Sequence, residues 1–160
     1  MIILGIDPGT ATTGFGVIRV DGMRREIIDC GVISTHKDTP HPARLAELHA
    51  DLAELIKRHN PDSAAVEKLF FATNVTTAMT VGEARGVALL ALQQAGVEIA
   101  EYTPLQVKQG ITGYGKATKR QVQEMVKAQL KLEVVPKPDD AADALAIALT
   151  HAGQRKIPRS

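Results

Sequence analysis

Residues Ile2–Ile6 form an unbroken apolar run that stops on Asp7-Pro8-Gly9, and a second extended run, Gly14–Val20, begins five residues after Gly9. Two short apolar runs joined by a loop of glycine and threonine read as strands linked by a turn. A third strand, Glu26–Ile33, follows the Asp21-Gly22 turn signal, so the chain begins as an antiparallel meander. Asp7 constrains what this meander can be. A strand built for burial that ends in a carboxylate, on the lip of a glycine-rich turn, points either to a phosphate cradle or to a metal site.

After residue 40 the apolar period changes. Leu45, Leu48, Leu52, Leu55 and Ile56 recur at helical spacing, with Pro42 near the start and Asn60-Pro61 as a stop. Ser63–Glu67 is a short strand, and a long helix rich in small residues, Val75–Ala95, closes on Gly96. Val97–Tyr102 is a fifth strand. Helical segments follow near Pro104–Gln109, over Lys119–Leu132 and from Asp139 to Ala152, with Gly113–Gly115 as a flexible link. With the short piece near Pro104 left aside, the order β-β-β-α-β-α-β-α-α predicts an α/β fold, a five-stranded mixed sheet with helices on both faces. Residues 1–152 are expected to form one domain, and residues 153–160 a basic, flexible tail.

Composition narrows the function classes. At 160 residues the chain can bury a core without staples, and no uninterrupted apolar run reaches the roughly 18–20 residues of a membrane span. The start lacks the features of a signal peptide, and the one cysteine, Cys30, suits a reducing cytosol and a packing role, so a cytoplasmic protein is expected. The net charge of +1 hides an asymmetry. Leu105–Lys137 holds seven bases against two acids, a net of +5, which leaves −4 for the remainder. A basic quarter of this kind suits a polyanion, although a solvated helix face gives the same pattern.

Two more acids repeat the puzzle of Asp7. Ala64-Ala65-Val66 ends on Glu67, and Asp143 interrupts an apolar, alanine-rich helix face on which Asp140 lies three residues earlier. Asp139, just after Pro138, is expected to cap that helix. An unpaired charge on a buried face costs several kcal/mol, so a surface role explains Asp143 poorly. Carboxylates gathered together repel, and persist only when protonated or neutralised by cations. Hard oxygen donors without histidine or cysteine favour Mg²⁺ or Mn²⁺ over zinc. Two such ions about 4 Å apart can activate a water and stabilise the leaving oxygen of a phosphodiester, with no side-chain nucleophile. His36, His41, His49, His59 and His151 show no ligand spacing and are expected at the surface or in capping roles.

Asp7-Pro8-Gly9, Val66-Glu67 with Phe70, Gln106-Val107-Lys108-Gln109 and Asp140-Ala141-Ala142-Asp143-Ala144-Leu145-Ala146 together resemble the RuvC family of crossover junction endodeoxyribonucleases, or Holliday junction resolvases. The resemblance spans Met1 to His151. It implies a ribonuclease H-like fold, with Asp7, Glu67, Asp140 and Asp143 as catalytic metal ligands for two Mg²⁺ ions, Mn²⁺ being able to substitute. It implies a homodimer that cuts two opposed strands of a four-way junction symmetrically, in recombination and repair, with RuvA and RuvB as partners. Phe70 and Phe71 are then candidate aromatic wedges at the branch point. Lys108, Lys116, Lys119 and Arg120 are candidate phosphate contacts, with Lys108 and Lys119 nearest the chemistry. The Val75–Ala95 helix is the candidate dimer interface, packing on its own sheet being the other reading. Three alternatives stand beside this one: an actin-like ATPase or sugar kinase, which needs a second lobe; a non-catalytic junction-binding module; and a related nuclease acting on another branched substrate.

Overall fold

A computed structural model describes residues 1–68 and 75–155. The strands are β1 (Ile2–Asp7), β2 (Thr12–Asp21), β3 (Arg24–Ser34), β4 (Ser63–Glu67) and β5 (Glu98–Tyr102). The helices are α1 (His41–His59), α2 (Val75–Gln94), α3 (Pro104–Thr112), α4 (Lys119–Gln129) and α5 (Asp139–Gln154). They form the expected mixed sheet, in the order β3-β2-β1-β4-β5. β1 pairs antiparallel with β2 and parallel with β4, β2 with β3 is antiparallel, and β4 with β5 is parallel. β1 is therefore central.

Side-chain alternation along β1 divides the core into two layers. Leu4 and Ile6 pack with Val17, Ala64 and Val66 against α1 (Leu48, Leu52, Leu55, Ile56) and α2 (Ala84, Ala88, Ala91, Leu92). Ile3 lies on the other face with Ile18 and Ala65, under α3 (Val107, Ile111), α4 (Val126) and α5 (Leu145–Leu149). Gly5 sits between them on that second face because α5 passes directly over it. A Cβ there would lie 2.1 Å from the Ala144 carbonyl oxygen. Gly14 and Gly16 of β2 extend the track: a Cβ on Gly14 would meet the Asp140 carbonyl oxygen at 2.0 Å, and one on Gly16 the Leu145 side chain at 2.8 Å. Three glycines thus let one helix lie against the sheet backbone.

The hairpin strands run longer than their apolar cores suggested, because Gly22 adopts φ +57° and a two-residue turn lets Asp21 pair with Arg24. Between Val17 and Ile18 the β2–β3 register shifts by one residue, leaving Ile28 as the extra residue of a bulge. α3 reaches Thr112 before Gly113 caps it at φ +76°. α4 ends earlier than predicted, at Gln129, with Lys131 left-handed at φ +54°. α5 continues to Gln154, and Arg155 stands 3.8 Å from Glu98, so the region assigned to the tail begins in ordered structure. Residues 156–160 lie outside the described residues.

Length and composition would let α2 cross a membrane, a property missed by asking only for an unbroken apolar run, although its alanine face packs on α1 and the sheet. Val75, Met79 and Leu90 project from the rest of it and are more than half exposed. Cys30 packs, as expected, against the α5 layer, and burial pushes its thiol up.

Candidate active site

The alternation that places Ile3 and Gly5 under α5 places Asp7 there too. In the parallel neighbour, Leu4 pairs with Ala64 and Ile6 with Val66, so the next residue of each strand, Asp7 and Glu67, reaches the same edge on the same face. α5 arrives over that edge with its first turn. Asp140 and Asp143, three residues apart, share the helix face turned to the sheet. Asp7, Asp140 and Asp143 each offer a carboxylate oxygen within 4.8 Å of the others, and Glu67 is hydrogen-bonded to Asp7. Four predicted acids from three separate parts of the chain thus converge.

Such a cluster is electrostatically costly, and the cost falls on the proton affinities of its members. The Asp7 carboxyl is pushed up to about 9, first by burial, then by the charge and hydrogen bond of Glu67 and the charges of Asp143 and Asp140. Glu67 is raised by burial and by Asp143, against the opposing hydrogen bond of Asp7 and charge of Lys119. Asp143 is raised by burial, opposed by Lys119 and reinforced by Asp140 and Asp139. Partly buried acids crowded in this way, with oxygen-only donors, form a set suited to a hard divalent cation.

The bases divide. Glu67, Asp143, Lys108 and Lys119 line one cleft of about 290 Å³ between α3, α4 and α5, whose apolar wall is Pro104, Val107, Val122, Ala146 and Ile147. Lys119 is fixed there by local sequence. Thr118 and Gln121 form a capping box, Thr118 Oγ1 accepting from Gln121 N and Gln121 Oε1 from Thr118 N, which makes Lys119 the first residue of α4. Its Nζ lies 3.6 Å from Asp143 and 3.5 Å from Asp139, and these charges, Asp143 foremost, raise its affinity for the proton. Arg120, the next residue, faces a neighbouring groove with Thr112, Tyr114 and Met125. Lys116 is exposed on the α3–α4 link. Phe70 and Phe71 lie outside the described residues.

Two sequence expectations are corrected. Asp139 does not cap α5: Pro138 is the N-cap and no side chain bonds the helix end, while Asp139 faces α4, accepting from Gln123 Nε2 at 3.3 Å and pairing with Lys119. His151 is neither at the surface nor a cap. It is 4% exposed, with Nε2 2.7 Å from Ser63 Oγ and Nδ1 2.8 Å from the Tyr102 hydroxyl, and burial lowers its pKa. The neighbours Ser63 and Tyr102 belong to different strands, so no local pattern announced the contact. The other histidines have polar partners, among them Glu83 for His41 and Asp29 for His59.

Comparison with known proteins agrees with this architecture. A family profile described as crossover junction endodeoxyribonuclease RuvC matches residues 3–151. A Rubrobacter xylanophilus protein named crossover junction endodeoxyribonuclease RuvC is 62% identical over 156 residues, 98% of this chain and 87% of that one. One of the same name from Chloroflexus aurantiacus is 57% identical, covering 95% and 93%. The Thermus thermophilus RuvC structure superposes with a TM-score of 0.89 at 40% identity, over 96% of this chain and 94% of that chain. The same protein in complex with a Holliday junction substrate gives 0.90, over 95% and 93%. The sheet order and two-faced helical cover are the ribonuclease H-like arrangement that the motifs implied.

Proposed function

Because this chain belongs to the RuvC family, we propose that it resolves four-way DNA junctions by metal-dependent hydrolysis of phosphodiesters on two opposed strands, in recombination and repair. The observation that carries this reading is the convergence of Asp7, Asp140 and Asp143 within 4.8 Å, with Glu67 bonded to Asp7, beside a cleft that holds Lys108 and Lys119. These four carboxylates are the proposed ligands of two divalent cations, with Mg²⁺ as the chosen ion and Mn²⁺ as its substitute. When bound, such ions supply an activated water and stabilise the leaving oxygen.

The chain's own residues bind and orient the DNA. Lys108 and Lys119 hold the phosphate of the strand to be cut, and a lysine at this edge counters negative charge that grows in the transition state. Lys116 and Arg120 extend the contact along the backbone, where each phosphate neutralised adds to the salt dependence of binding. Phe70 and Phe71, three and four residues after Glu67 in the sequence, are assigned to bases near the branch point. The four-way junction is close to two-fold symmetric, and a C2 homodimer presents one site to each of two strands. The exposed Val75, Met79 and Leu90 of α2 support that helix as the interface. RuvA and RuvB are the proposed branch-migration partners.

The test is incubation with a synthetic mobile junction and Mg²⁺. Paired symmetric nicks that vanish with Asp7→Asn are expected. Binding without cleavage in either Mg²⁺ or Mn²⁺ would overturn the reading in favour of a binding module.

A further inference from the structure

Lys119 occupies an unfavourable place for a cation. The first turn of a helix carries partial positive charge, and the first turn of α4 contains no acid of its own. The missing negative charge comes from α5. Asp139 and Asp143 are four residues apart, on one helix face, and such a pair of like charges repels. The Lys119 ammonium stands between them, 3.5 Å from Asp139 and 3.6 Å from Asp143. Gln123, one turn after Lys119 on α4, donates to the other oxygen of Asp139 at 3.3 Å. The Asp139 carboxylate is thus tied to two successive turns of α4.

The two anchors differ in what else they do. Asp143 is one of the three carboxylates, with Asp7 and Asp140, whose oxygens converge, whereas Asp139 is outside that group. We infer that Asp139 is a positioning residue: with Gln123 it holds the Lys119 ammonium at the rim of the acid cluster when the charge of Asp143 is committed to a cation. Lys119 then stays at the edge of the cleft it shares with Lys108 and Glu67, available to the substrate phosphate. The doubled acid Asp139-Asp140 acquires a division of labour, one carboxylate turned to the cluster and the other to the lysine. This role rests on the nuclease reading above.

The first measurement needs neither metal nor DNA. In the metal-free protein carrying Asp143→Asn, which removes the second anchor's charge as a bound cation would commit it, the Lys119 side-chain ammonium, followed by ¹⁵N-detected NMR, is expected to give a signal protected from exchange that Asp139→Asn removes and Asp139→Glu retains. The second is a double-mutant cycle on single-turnover junction cleavage in Mg²⁺. Asp139→Asn is expected to slow cleavage about 10-fold, a loss in keeping with a mispositioned group. Metal-free junction affinity should change less than about twofold, since the lysine is still present. In a Lys119→Ala background the same substitution should cost nothing further, because the positioned group is gone.

An Asp139→Asn variant with an unchanged ammonium signal, or with the wild-type cleavage rate, overturns the inference. So does an equal loss with and without Lys119, which would mean that Asp139 acts on Asp140 or on the cation. If the wild type cuts no junction, the nuclease reading falls, while the ammonium signal still decides whether Asp139 holds Lys119.

Discussion

Substituting Gly14 by alanine tests whether the acid cluster is built by helix-to-sheet contact. The new Cβ would lie 2.0 Å from the Asp140 carbonyl oxygen, 2.6 Å from its carbon and 3.1 Å from its Cβ. Ordinary carbon–oxygen contact is about 3.3 Å, so the first turn of α5 must retreat by about 1.3 Å. Backbone lies on both sides, in β2 and in α5, and no side-chain rotation relieves the clash. The retreat carries Asp140 and Asp143 away from Asp7. Overpacking of this kind costs about 1–3 kcal/mol, which for a chain of this length lowers Tm by about 2–4 °C per kcal/mol. The effect on chemistry should be larger, because misplacing catalytic groups by about 1 Å can cost about 100-fold. Single-turnover cleavage at saturating Mg²⁺, with Mg²⁺ binding measured by calorimetry, should show a rate loss near that size and weakened affinity in a protein that remains folded by circular dichroism. Gly153→Ala, at the far end of the same helix with nothing within 4 Å of the added Cβ, is the control and should be neutral or slightly stabilising. Wild-type rate and Mg²⁺ affinity in Gly14→Ala would refute the claim that the hairpin glycines set the position of the acids.

Asp7→Asn should abolish cleavage yet stabilise the metal-free protein by about 2 kcal/mol near neutral pH, since the folded protein otherwise has to keep on Asp7 a proton that the unfolded chain releases. The sign of the pH dependence follows: Asp7 titrates near 3.8 when unfolded and at about 9 when folded, so its contribution is complete below pH 3.8 and is lost as pH rises toward 9. Glu67 and Asp143 shift in the same direction. In EDTA, Tm should therefore fall between about pH 5 and about pH 8, with Mg²⁺ reversing the fall; a metal-free Tm that climbs over that range would contradict the clustering. Lys108→Ala should lower the slope of log affinity against log salt by about one unit in junction-binding titrations. His151→Phe leaves Tyr102 and Ser63 without their ring-nitrogen partner and should cost about 1–3 kcal/mol in chemical denaturation, with cleavage within about twofold of wild type.

Much of this architecture can be read from linear patterns. Strand alternation and helical spacing carry the element order, and the acids at the ends of β1 and β4 stand out because each terminates a buried run. What escapes is set by contacts between distant segments. Gly14 and Gly16 read as parts of a turn or an ordinary strand, whereas their function is to admit α5, more than 120 residues later. Asp139 reads as a cap because proline precedes it, and only the approach of α4 gives it Lys119 and Gln123. His151 reads as a surface residue because its partners come from β4 and β5. In the residue pattern Lys108, Lys116, Lys119 and Arg120 are alike, and only the family resemblance set Lys108 and Lys119 nearest the chemistry; in the fold, the capping box at Thr118 turns Lys119 to the acids and leaves Arg120 on another groove.

The acids arrive from β1, β4 and α5, and this has a consequence for when the protein can become a nuclease. A nascent chain complete through Pro138 possesses Asp7 and Glu67 alone, and the remaining carboxylates enter only as α5 settles on the glycine track. Local opening that lifts α5 dismantles the donor set while leaving much of the sheet paired. With the roles proposed for these acids, cutting competence is a certificate of completed folding: a half-made or partly unravelled copy lacks the groups with which it could damage DNA.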